Sequence, residues 1–135
     1  MGSYYSRETP ETAAAWLHTR DALARLAKSV AASGAKLVLA WVPGTVQFAG
    51  KAGHEIFART YRFADLPASA YDPELPKQRF LSLCAGLHLE CIDPSEAFSS
   101  RMRAGEALFQ PLDKHWNAAG SHAFAEFLAA HLFHR

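Results

Sequence analysis

The stretch PLDKHWNAAGSHAF, residues 111–124, crowds together side chains that can do chemistry. Asp113 and His115 lie two positions apart in a proline-led loop. An imidazole, with an ordinary pKa of about 6.5, can act as a base at neutral pH. A neighbouring carboxylate can hold its tautomer and stabilise the imidazolium, and such a pair suits activation of a serine hydroxyl. The same residues admit a purely structural reading. Asp113, or Asn117 as the chain's only asparagine, can cap the helix that begins at Ala118, with His115 simply solvated. Trp116 fits either a cleft wall or a core anchor.

Other candidates are weaker. The run Gly44-Thr45-Val46-Gln47-Phe48-Ala49-Gly50-Lys51 has the look of a phosphate loop. It holds one residue too many between its glycines, and Ala52 stands where a magnesium-binding hydroxyl belongs. It reads instead as a loop leaving a strand at the end where α/β proteins bind ligands, which makes Gly44 a candidate cleft residue. Asp113, His115 and His122 are plausible metal-ligand types. His122, however, falls a full turn into the helix, on the side of Glu126, so no metal site and no cofactor are expected. His18, His54, His88, His131 and His134 have no partner spacing and read as surface residues. Cys84 and Cys91 fall at apolar positions of a helix and a strand. Without a C-x-x-C pair they are expected to be buried free thiols.

These residues need elements to hold them. Thr9-Pro10-Glu11, Asp72-Pro73-Glu74 and Asp93-Pro94-Ser95-Glu96 are helix starts, each with a cap oxygen, an early proline and an acid near the positive helix end. Asp93 and Glu96 have capping-box spacing. A helix is expected over 10–32, with Trp16, Thr19, Leu23, Leu26 and Val30 as its buried stripe and Gly34 ending it. KLVLAWV, 36–42, reads as a central parallel strand buried on both faces. A helix at 73–85, burying Phe80, Leu83, Cys84 and Leu87, stops at Gly86. HLECI, 88–92, is a second strand, nearer an edge, followed by a helix at 94–104. The last helix, 118–133, carries the stripe Phe124, Phe127, Leu128 and Leu132. HEIFARTYRF, 54–63, is expected to hold a short helix.

Alternating helices and strands indicate an α/β layered fold. Residues 1–9 read as a disordered or appended N-terminus, and 10–135 as a single domain. Two parallel strands leave open edges, and a stable sheet needs more. The expectation is therefore a partial three-layer α/β/α sandwich with a parallel sheet, lacking N-terminal strands and able to self-associate through an open sheet edge, the alternative being a self-contained small domain with further strands near 44–65. The net charge of +1 provides no field for nucleic acid. The longest apolar run, 37–42, is far short of the ~20 residues of a spanning helix, so no transmembrane segment is expected, and MGSYYSRETPE lacks the apolar stretch of a signal peptide.

PLDKHWNAAGSHAFAEFLAAHL resembles the C-terminal block of the SGNH (GDSL-type) hydrolase family, in which a D-x-x-H or D-x-H element, often followed by N-x-x-G, opens the last helix. AKLVLAWVP and CAGLHLECIDPSEAF are similar to strand and helix segments of the family's acyltransferase-like members. The resemblance implies a three-layer fold and places Asp113 and His115 in a Ser–His–Asp triad. Trp116, Asn117 and Gly44 then become candidate substrate contacts. It also implies a reaction on acyl esters, commonly acetyl groups of carbohydrate or lipid. D-x-H-W resembles the alginate-type O-acetyltransferase branch, although there the pair precedes the serine and here it closes the chain. The sequence contains neither G-D-S nor G-x-S-x-G, and no recognisable oxyanion hole.

Two functions follow as expectations. One is part of an SGNH-like esterase or O-acetyltransferase acting on an acyl ester or polysaccharide, with the serine supplied by other sequence and this chain inactive alone. The other is a non-catalytic relative that binds carbohydrate or a partner protein. Relatives that modify polysaccharides point to an extracytoplasmic site.

Overall fold

The computed structural model of the chain describes residues 6–48, 50, 70–111 and 115–133. The expected helix at 54–63, residues 1–5 and Asp113 lie outside the described residues. Helix α1, Pro10–Ala32, starts as its sequence dictates, with Thr9 Oγ1 accepting from the Thr12 amide at 3.2 Å. Gly34, at φ +75°, takes the left-handed turn after it. The expected stripe is only partly covered. Trp16, Leu23 and Val30 are half-buried, Thr19 and Leu26 are exposed, and Thr12 is the one buried residue of the helix. An open trough between this helix and the helix at Leu75–Gly86 is lined by Trp16, Leu17, Leu75 and Leu83.

Strands β1, Val38–Ala40, and β2, Glu90–Ile92, pair in parallel, with Leu39 opposite Cys91. The Trp41 amide extends the ladder by donating to the Ile92 carbonyl at 2.9 Å. The expectation that β1 is buried on both faces is not met. Its residues are half-buried and Val42 is 61% exposed. Among the described residues no further strand covers the sheet, so the apolar run is longer than the surface that shields it.

Helix α2, Leu75–Gly86, lies in the crossover between the two strands. It starts slightly later than Pro73, because Asp72 Oδ1 accepts the Glu74 amide at 2.9 Å and turns the chain before the first helical residue. Gly86 remains helical. The left-handed residue is His88, at φ +53°, a side chain that tolerates this region better than most. The tight turn through His88 folds β2 back on the end of α2. This brings Cys84 and Cys91 into a disulfide, with Cα atoms 6.1 Å apart. The expectation of two free thiols is therefore wrong. The reversal of direction, not the sequence separation of 7, decides the pairing.

Helix α3, Ser95–Arg103, is begun by Asp93, whose Oδ1 accepts from both the amide and the hydroxyl of Ser95. The expected capping box does not form, because Glu96 pairs with Arg103 at 2.6 Å. Helix α4, Ala118–Phe133, packs against α3. Phe98, Leu108 and Ala123 form the buried centre, with Phe48, Met102, Phe109, Trp116 and Phe124 around it. Along α4, Phe124, Phe127 and Leu128 are half-buried as expected in kind, while Leu132 is 41% exposed and leaves the stripe. Ala123 is buried in this centre, at 3% exposure. No described helix is long and apolar enough to cross a membrane.

Candidate functional site

The loop that carries the Asp–His pair is held at its base by a short antiparallel contact. Phe109 bridges to Trp116, the Gln110 amide donates to the His115 carbonyl at 2.7 Å, and the Asn117 amide donates to the Leu108 carbonyl at 3.1 Å. Pro111 and His115 therefore stand where the two paired limbs meet the loop, with His115 directly before Trp116. Asp113 lies outside the described residues. His115 is exposed.

Asn117 locks the turn to the last helix. Its Oδ1 accepts the Gly120 amide at 2.9 Å, the N-cap bond that a helix start requires. Its Nδ2 donates to the Ala107 carbonyl at 2.7 Å on the other limb of the hairpin. The structural reading of Asn117 is thus met in full, and its side chain is engaged at both ends. The N-x-x-G spacing also acquires a cause. A Cβ at Gly120 would stand 2.2 Å from the Leu108 carbonyl oxygen, so only glycine lets α4 close on the hairpin.

Trp116 does two jobs. Its ring packs between Phe98, at a centroid distance of 5.1 Å, and Phe124, at 4.9 Å. Its indole N–H donates to the Pro43 carbonyl at 3.0 Å. Pro43 is fully buried and lies just past the end of β1, so this bond fastens Trp116 beside the C-terminal end of the first strand. Ligand sites of parallel α/β sheets gather at that end.

The loop leaving β1 is a tight turn. Residues Thr45–Phe48 make one 3₁₀ turn, and no phosphate cradle is built from them. Gly44 donates its amide to Gln47 Oε1 at 3.0 Å and accepts from the Gln47 amide at 3.1 Å, so both of its backbone polar groups are engaged within the turn. Gln47 Oε1 also accepts the Trp41 indole N–H at 3.0 Å, and its Nε2 lies 3.4 Å from Glu74 Oε1. Glu74 Oε2 pairs with Lys77 Nζ at 2.5 Å, and Lys77 faces Asp93 Oδ2 at 3.7 Å. Burial opposes the Lys77 charge. The Glu74 hydrogen bond and the fields of Asp93 and Glu74 outweigh it and hold the amine above its ordinary value. A polar chain thus joins the exits of β1 and β2. Nothing in the sequence singled out Gln47, since a glutamine in a loop matches no motif.

His122 sits on the exposed side of α4 with Nδ1 3.6 Å from Glu126 Oε2, as its helical position suggests. No group of metal-ligating side chains is assembled among the described residues.

The family model for the SGNH hydrolase-like domain of acetyltransferase AlgX matches residues 3–135. No curated protein and no solved structure matches the chain. With nearly the whole chain matched, and with Trp116 of its D-x-H-W-N-x-x-G block fastened beside a strand end of a parallel α/β sheet, the protein belongs to the AlgX-type family of SGNH hydrolase-like domains.

Proposed function

We propose that this domain supplies the His–Asp part of a Ser–His–Asp acyl-transfer site, in an ester hydrolase or O-acetyltransferase acting on acyl esters of carbohydrate. The observation that carries this reading is the Trp116–Pro43 bond, which sets the exit of the Asp–His loop beside the end of β1. In the proposed mechanism His115 removes the proton of a serine hydroxyl as that oxygen attacks the acyl carbon. It then returns a proton to the departing alcohol. Asp113 holds the imidazole and stabilises its charged form. Trp116, Asn117 and Gly44 border the substrate through ring and backbone surface, since their polar groups are already engaged.

The serine is proposed to come from sequence outside residues 1–135, which contain no G-D-S. The sheet is proposed to gain further strands in a three-layer sandwich, and the chain alone to self-associate along β1. The Cys84–Cys91 disulfide supports an oxidising, extracytoplasmic setting. A non-catalytic binding role is the competing reading, favoured by the missing G-D-S block and by the exposure of His115. Turnover of a small acetyl ester by the polypeptide that carries this domain together with its serine separates them, because the isolated chain should be nearly inactive under either reading. Activity of the isolated chain abolished by a serine-directed organophosphonate would place a nucleophile within these residues and overturn the division of the triad.

A further inference from the structure

We propose that Gln47 is a positioning residue for the His115 loop, acting through Pro43 and Trp116. The inference rests on the acyl-transfer reading of that loop. Gln47 is half-buried and uses one oxygen for two donors, the Trp41 indole and the Gly44 amide. A primary amide has the acceptor capacity for both and still offers N–H donors to Glu74. The side chain thereby closes the turn that begins at Gly44. That turn fixes the peptide preceding it, which contains the Pro43 carbonyl. The carbonyl in turn receives the Trp116 indole, and Trp116 is the residue next to His115. The far end of the amide is anchored as well. Glu74 is held by Lys77, which also faces Asp93 at the exit of β2. Orientation of the Pro43 carbonyl is therefore referred to both strand exits, and a hydrocarbon side chain at 47 supplies none of these bonds.

The experiment follows the Trp116 indole N–H and the His115 ring protons by NMR in the full chain. Comparison is made at matched pH between wild type, Gln47→Leu, Gln47→Glu and Trp116→Phe. In Gln47→Leu the Trp116 indole should exchange with solvent roughly three- to tenfold faster, the range set by losing one hydrogen bond of ordinary net strength. The His115 ring signals should move, and those of His122 on α4 should stay. Gln47→Glu keeps the two acceptor bonds near pH 7 but loses the donor to Glu74 and repels it, so it should fall between wild type and Gln47→Leu. It should recover wild-type behaviour near about pH 4, where a protonated acid replaces the amide donor. If the Trp41 indole changes while the Trp116 and His115 signals keep wild-type values, the influence of Gln47 stops at its own turn and the proposal falls. Should Gln47→Leu not fold, Trp116→Phe breaks the same path. Unmoved His115 signals there also overturn the proposal. The acyl-transfer reading fails separately, if His115→Ala leaves catalysis intact while the His115 signals still answer to Gln47.

Discussion

Gly120 and Asn117 tie the base of the candidate loop to the last helix. Replacing Gly120 by alanine adds helix propensity worth about 1 kcal/mol. It also sets a methyl group against the Leu108 carbonyl, a backbone atom that cannot swing away. The clash should prevail, and Gly120→Ala should lose about 1–3 kcal/mol in urea unfolding. Asn117→Ala removes the cap of α4 and the bond to Ala107, at a cost of about 1–2 kcal/mol. Asn117→Asp keeps the cap oxygen but not the amide donor, so it should recover part of that loss and not all of it. Lys77 gives a pH signature. Its amine titrates above the ordinary 10.5 in the folded state, so its contribution to stability is fully present below that value and fades as pH rises through the raised one. The stability difference between wild type and Lys77→Met, measured by urea unfolding, should therefore shrink at strongly alkaline pH.

At the scale of elements, the disulfide is the firmest tie between α2 and β2. Its loop is short, and in the chain-entropy account it should contribute about 2–3 kcal/mol. Reduction, or Cys84→Ser with Cys91→Ser, should lower the melting temperature, and mass spectrometry of the untreated chain should find no free thiol. A chain whose melt is unaffected by reductant would contradict the staple. The same elements show what the sequence could and could not reveal. Helix ends were legible at Thr9, Gly34 and Asp93, because caps act within a few residues. The parallel pairing of the two strands followed from the crossover helix between them. Burial was not legible. Leu26 and Val42 have core-like chemistry and are exposed, because coverage depends on neighbours far along the chain. The disulfide was missed for the same reason, since a turn at His88 brings its halves together. At the candidate site, Asn117 was readable as a cap and Trp116 as an anchor. Gln47 was not, because its role exists only once the Trp41, Gly44 and Glu74 groups converge on it.

Taken as a whole molecule, the described domain has an aromatic centre between α3, α4 and the hairpin, and a lightly covered sheet. Exposed strand edges pair readily with other chains. The isolated chain should therefore self-associate. Sedimentation across a concentration series should show mass rising with concentration, and a monomer throughout would mean that the sheet edges are already satisfied. The central claim is that His115 and Asp113 act together on a serine. It is tested most directly by steady-state kinetics on an acetyl ester, in the polypeptide that carries this domain together with its serine. His115→Ala should lower kcat by about 10³–10⁴, and Asp113→Asn by a similar or smaller factor, with KM little changed and the double variant no worse than His115→Ala alone. Retention of kcat within roughly twofold in His115→Ala, where a lost general base costs at least about 10², would contradict the account.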